Sequence, residues 1–494
     1  MLLVACNHNT QDKAETENNY NYMSLGGLAD VIEYSLDDLL YFALKRREGI
    51  TRPSLDNALL LTQGRTPAPL PHILREQGNR RVVNLEEAIH DVNILFQALY
   101  SSYGGYVYFG GNEVFLTMRD RIIGQVVALG DMVRPAQLEE ILIENLSPAI
   151  IDNHFRIGNV ILGATMTYYR TVNAAYYRTE NGFRNRENGL YLQSIQGHEM
   201  HDLEDIMHLH LDREGILYYS PVFLTEGDIV QSEAVFVYED ETYIKYFWIR
   251  VGSSLRSLEY PTLKWVGTIP VVTVMAMGFD RHENAHNINH FLPFMSFAEQ
   301  LQNEPVIVVD LRSNGGGNGL LPVRWLYKFL GEIVPANHLT LFTELFDIEW
   351  ERQNPYNRFS NSLYSVEHFD DIASFHNGHY IRNTHPEGIV DNEQLFVIIT
   401  DRFVGSAAEV FVDLAFSMSN TLVIGAPTAG VLTFSGSIPL TLPNSGIEFG
   451  FGQGMYIWPE NHFAEGAGIR PDIWTRGDAL DAALNLLKNS GFGD

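Results

Sequence analysis

The chain has 494 residues, 45% of them apolar, and a formal net charge of −28 at pH 7. That length and apolar content allow several domains and a sizeable core, while the acidic balance excludes recognition of a nucleic-acid backbone, which needs a basic face. The same charge disfavours an anionic membrane surface, and no run of 18 apolar residues is present to form a membrane-spanning helix.

Cys6 is the only cysteine, so neither an intramolecular disulfide framework nor a cysteine-based zinc cluster is expected. The stretch Leu3-Val4-Ala5-Cys6 resembles the small-residue box that precedes a lipidated cysteine, although the basic and apolar regions of such a leader are largely missing before it. Asn7 to Tyr22 is polar and asparagine-rich, suited to a tether. Residues 1–24 are therefore expected to be a signal remnant and tether, with Cys6 the lipid anchor of an exported, extracytoplasmic protein.

Residues 25–149 carry helical patterns. The clearest begins at Asn84, a helix cap with Glu87 at the capping-box position; Leu85, Ile89, Val92, Phe96 and Leu99 then recur at helical spacing up to Gly104 and Gly105. The aromatic stretch Tyr100 to Gly111 that follows reads as a packed turn between domains. Residues 150–270 are rich in Val, Ile, Tyr and Thr divided by turn residues, which predicts a β-rich middle domain. Residues 271–494 alternate buried-strand and helix patterns, then show a hairpin signal with its turn at Pro443 to Gly446 and a closing helix.

Two junctions in this last region carry chemistry. Strand residues Pro305 to Asp310 run into Gly315-Gly316-Gly317, a backbone free of side chains and able to offer N–H groups to a negative group. No Lys-Ser/Thr follows as in a phosphate loop, so a tight turn and an acyl-transfer oxyanion site are the readings left. Ser406 lies at the turn between a buried strand and a helix, where both a nucleophile and a plain helix cap are at home.

Asp310 to Gly317 and Thr400 to Glu409, followed in order by Val423 to Gly430 and Gly466 to Asp472, resemble the signatures of the C-terminal processing, or tail-specific, serine proteases. The likeness runs from about Pro270 to Leu487. It implies a crotonase- or ClpP-like β-β-α spiral core within an α/β multidomain chain, Ser406 as nucleophile, the N–H groups of Ala407 and Gly316 as oxyanion hole, and Gly315 and Gly317 along the substrate. Many members place a lysine base where Val431 stands here, and the only lysine after Ser406 is Lys488. A second branch, resembling the tricorn protease core and a chlamydial protease, uses Ser, His and Glu. Asp152-Asn153-His154 and Glu465, just before Gly466-Ala467-Gly468-Ile469-Arg470-Pro471-Asp472, fit that branch. His154 is then the implied general base and Glu465 its acid partner, with Glu460 the nearby competitor.

The resemblance implies a polypeptide substrate, no cofactor and no nucleic-acid partner. The middle domain stands where family members carry a PDZ domain. A catalytically silent peptide-binding homologue is the alternative. His282-Glu283-Asn284-Ala285-His286, with His290 beyond it, satisfies a zinc-peptidase pattern, but its polar flanks argue against a buried helix and no metal site is expected. His198, His201, His208 and His210 read as a polar face.

Overall fold

The computed structural model describes residues 33–51, 53–65, 74, 78–164, 166–196, 202–227, 233–252, 256, 260–278, 288–343, 373–376, 379–382, 388–435, 438–460 and 462–493. The Cys6 tether and the His282–His286 motif lie outside them. Among the described residues the chain is mixed α/β with a helical N-terminal region.

The apolar runs of the C-terminal half become parallel strands. Ile269–Thr273, Val306–Asp310, Leu395–Thr400, Thr421–Gly425 and Ile473–Thr475 lie side by side in that order. Parallel strands covered on both faces need apolar side chains at every position, and all of Leu395–Thr400 is buried. Ile307, Val309, Phe396 and Ile398 face the layer that contains Trp325 and the helix Ala407–Ala415. Val306, Val308, Val397 and Ile399 face the opposite layer, built with helices Leu36–Glu48 and Ala479–Asn489. This three-layer arrangement fixes the ends of the strands, where the candidate site residues lie.

The sheet does not stop at the C-terminal half. Ile473–Thr475 pairs in parallel with Met207–Leu211, and the sheet continues through Leu217–Glu226, Met166–Thr171, Tyr243–Arg250, Glu233–Tyr238 and Leu192–Ile195; with Thr262–Val266, Tyr176–Thr179 and Gly182–Asn185 it has 14 strands among the described residues. His208 and His210 belong to this join rather than to a polar face. His210 is fully buried, and the two rings stack on Trp474 at 5.4 and 6.1 Å.

Helices Leu85–Ser102, Gly111–Ala128 and Pro135–Leu146 share their core with Phe434 and with Leu440, Phe449 and Phe451 of the C-terminal hairpin. That hairpin pairs Ile438–Thr441 with Glu448–Phe451 around the expected turn, and its second strand also pairs with Arg156–Ile157. The N-terminal helices and the hairpin thus hold the residues next to His154 against the C-terminal half.

Candidate active site

Ser406 follows the strand Leu395–Thr400 and opens the helix Ala407–Ala415 with φ 50° and ψ −120°. A non-glycine residue held at positive φ costs on the order of 1–3 kcal/mol and is typical of a sharp strand-to-helix turn that exposes a nucleophile. What holds the turn is Glu409. Its fully buried carboxylate accepts from the N–H of Ser406 (2.9 Å), the hydroxyl of Thr428 (2.6 Å), and the N–H groups of Gly430 (2.8 Å) and Val431 (2.9 Å). Burial pushes the Glu409 carboxyl up to about 7, against the opposing pull of those donors.

The glycine run lies directly on this turn. Gly405 donates its N–H to Asn314 O at 3.0 Å. Gly316 has φ 105°, and a Cβ there would come within 2.7 Å of Gly405 O and Ser406 Cβ and 2.9 Å of Ala407 N. Gly317 has no room either, because an added Cβ would collide with Met277 O, whereas Gly315 faces open space. As the first residue of its helix, Ala407 has an N–H without an intrahelical acceptor. The Gly316 N–H donates to Asn314 Oδ1 at 3.0 Å, and the Asn314 amide is itself fixed by Val274 O.

His154 sits in a turn made by Asp152, whose Oδ1 accepts from the His154 N–H at 2.7 Å. Burial pushes the His154 imidazole down to about 4 and the Asp152 carboxyl well above its usual range. Beside this turn, Glu465 accepts from the N–H of Asn153 at 2.9 Å and from the N–H of Thr433 at 3.0 Å. Burial raises its carboxyl, with those donors opposing. Glu460 is exposed.

Gly430 closes the circuit: its N–H donates to Glu409, and its carbonyl accepts from Asn153 Nδ2 at 3.0 Å and from the Gly466 N–H at 2.7 Å. Arg402 fastens the same loops, donating to Thr428 O and, at 2.8 Å each, to Gly466 O and Ala467 O. Ser406, Gly316, Ala407 and the turns carrying His154 and Glu465 therefore belong to one hydrogen-bonded assembly. Among the described residues no cluster of three or more His, Cys, Asp or Glu residues is arranged to hold a metal.

Residues 282–475 match the model of peptidase family S41. The match supports a serine-type peptidase built around this region. The matched span holds Ser406, the glycine run and Glu465, while His154 lies upstream of the S41 match. Mature CPAF is similar over 83% of this chain and 99% of its own at 12% identity, with a TM-score of 0.40. The photosystem II D1 C-terminal processing protease is similar over 82% and 98% at 13% identity and 0.39. A lipoprotein from Streptococcus agalactiae is similar over 81% and 96% at 13% identity and 0.38. No curated protein compared with the chain matches it.

Two groups that sequence reading passed over stand out. Glu409 was visible only as part of a motif, because its partners come from a separate loop. Asp413, on the same helix as Ala407 and fully buried, accepts from His338 Nδ1 at 2.9 Å, His462 Nε2 at 3.0 Å and the Asn337 N–H at 3.1 Å. Burial alone would raise its carboxyl, but the histidine hydrogen bonds outweigh that and hold it well below the usual carboxylate range. The Asp413 cluster ties the loop leading to Glu465 to the helix that starts at Ser406.

Proposed function

We propose that the chain hydrolyses polypeptides through an acyl-enzyme on Ser406, with His154 as general base and Glu465 as the carboxylate that orders the base. The observation that carries this reading is the assembly of the strained Ser406 turn with the Asp152–His154 turn and Glu465 through Gly430 and Glu409. A buried imidazole held neutral suits a base that must accept the serine proton and return it to the leaving amine. The Ala407 N–H is the first oxyanion donor. Gly316 supplies the second when its N–H turns from Asn314 Oδ1 towards the developing charge, and the absence of side chains at Gly316 and Gly317 is what lets backbone meet the reacting carbonyl. Gly315 and Gly317 border the bound peptide.

The substrates are proposed to be exported polypeptides and the enzyme to be anchored extracytoplasmically through Cys6, on the strength of the Leu3–Cys6 box. No helix among the described residues is long and apolar enough to cross a membrane. A second reading, a catalytically silent peptide-binding homologue, is favoured by the Gly316 N–H being given to Asn314. Labelling with a fluorophosphonate probe decides between them. Modification mapped to Ser406 in the wild type, and lost in Ser406→Ala and His154→Ala, supports the peptidase; no labelling of the folded wild type overturns it in favour of the silent homologue.

A further inference from the structure

The aromatic loop between helices Leu85–Ser102 and Gly111–Ala128 separates into two populations. Tyr103 and Tyr106 are 0% and 2% exposed, as a packed turn requires, whereas Tyr108 is 54% exposed. The loop is rigid: Gly104 donates its N–H to Gly452 O at 2.8 Å, a Cβ at Gly104 would meet the backbone of Gly454 at 2.9 Å, and Phe109 N–H closes the turn on Gly105 O at 2.9 Å. Tyr103 and Phe109 stack with centroids 6.2 Å apart, and Phe434 lies 5.7 and 5.6 Å from them. Tyr108 stands edge-on to this plate, 5.0 Å from Phe109 and 6.2 Å from Phe434.

The placement of Phe434 gives that exposed ring a meaning. Its neighbour Thr433 donates the N–H that holds Glu465 Oε2 at 3.0 Å. The Tyr108 ring therefore rests one residue away from the anchor of the proposed catalytic carboxylate. Its phenol is pushed up mainly by burial of one side of the ring, with the Glu465 charge adding to it. A fold that buries Tyr103 and Tyr106 yet fixes Tyr108 outward beside the site has paid the rotamer entropy of an aromatic contact before any ligand arrives.

We propose that Tyr108 is a substrate-binding residue, its exposed ring beside the Glu465 anchor receiving a large apolar side chain of the polypeptide near the scissile bond. This rests on the serine-peptidase reading of Ser406, His154 and Glu465. It assigns the N-terminal helical region, which lies outside the S41 match, a part in specificity.

The test uses the full chain and a panel of fluorogenic peptides identical except for Ala, Leu or Phe at each position flanking the scissile bond. In Tyr108→Ala, kcat/KM for the preferred Leu or Phe peptide should fall about tenfold, through KM, towards that of the Ala peptide, while the rate of fluorophosphonate labelling of Ser406 stays that of the wild type. Tyr108→Phe should keep the wild-type preference. A Tyr108→Ala enzyme with unchanged KM and unchanged side-chain preference overturns the proposal, as does loss of preference in Tyr108→Phe. Absence of Ser406 labelling in the wild type overturns the underlying reading instead, so the two failures are distinct.

Discussion

The N–H of Asn153 donates to Glu465 Oε1 at 2.9 Å, joining two turns 312 residues apart in the chain. Glu465 therefore fixes the residue adjoining His154 and not only the loop it belongs to. Replacing it with glutamine turns one of its two acceptor oxygens into a donor facing a backbone N–H, which costs roughly 1–3 kcal/mol, and removes the charge that would stabilise an imidazolium. Glu465→Gln is expected to lower kcat on the order of 10³-fold with KM little changed, read by steady-state hydrolysis and accompanied by a modest fall in Tm. Glu460→Gln, at an exposed position, should leave both near wild type.

His154 sets a pH dependence of definite sign. Burial pushes its imidazole from an ordinary 6.5 down to about 4. As a base it stays neutral above that value, so the acid limb of kcat/KM should fall near pH 4 rather than near 6.5. For stability, the unfolded chain binds a proton between these values that the folded chain refuses. The contribution of His154 is complete above about pH 6.5 and is lost as pH falls towards 4, an effect of about 3 kcal/mol. An acid limb centred near 6.5 in the rate profile would remove His154 from the role of buried base.

Glu409 tilts the balance the other way. Its carboxyl is raised from 4.5 to about 7, so the folded chain keeps a proton that the unfolded chain releases between these values. That contribution is complete below about pH 4.5 and is lost as pH rises through 7. Glu409→Gln removes the titration, so the stability of the wild type relative to the variant should decline from pH 4.5 to 7 in denaturant melts. The variant also loses an acceptor for the N–H groups of Ser406 and Val431, and labelling of Ser406 should slow at least tenfold.

These relationships mark where sequence reading ended. The strands Val306–Asp310 and Leu395–Thr400 were legible because parallel strands buried on both faces leave continuous apolar runs. The helix at Leu85 was legible from Asn84 and Glu87, which form the expected capping box. Glu465 and His154 could be nominated only through resemblance, since nothing local distinguishes either from an ordinary loop residue. The continuity of the sheet through Trp474 and His210 was invisible because parallel pairing between Ile473–Thr475 and Met207–Leu211 leaves no local signal. For the same reason His208 and His210, polar by composition, gave no sign of stacking on a tryptophan in the core.

Asp413 offers a test of the link between core and site. With His338, His462 and Asn337 all donating to one buried carboxylate, removal of the carboxylate in Asp413→Ala leaves those donors without their acceptor and should cost about 3–5 kcal/mol. His462→Ala removes the strut to the Glu465 loop together with the ring's packing on Phe416 and Trp458. It is expected to lower kcat by about tenfold at a smaller loss of stability, and His462→Gln, which keeps an N–H donor, should recover part of it. Equal loss of kcat in the two His462 variants would mean that this hydrogen bond does not position Glu465.

Gly316 gives the sharpest steric prediction. Its φ of 105° is one that a residue with a Cβ rarely adopts, and the added methyl would press on Gly405 O and Ser406 Cβ at 2.7 Å and on Ala407 N at 2.9 Å. None of these neighbours is the free end of a flexible side chain, so either the glycine run or the Ser406 turn has to move. The backbone strain alone is on the order of 1–3 kcal/mol, and displacement of one oxyanion donor lowers kcat by about 10²–10³-fold. Gly316→Ala should therefore remain folded, with a lowered Tm, yet hydrolyse at least 10²-fold more slowly and react sluggishly with a fluorophosphonate. Gly315→Ala, whose Cβ meets no atom of the chain within 4 Å, should keep the wild-type Tm and kcat, its contact with the bound peptide being read in KM alone. If the two alanine variants were equally active, Gly316 would not border the reacting carbonyl, and the oxyanion site would have to be sought at Ala407 with a different second donor.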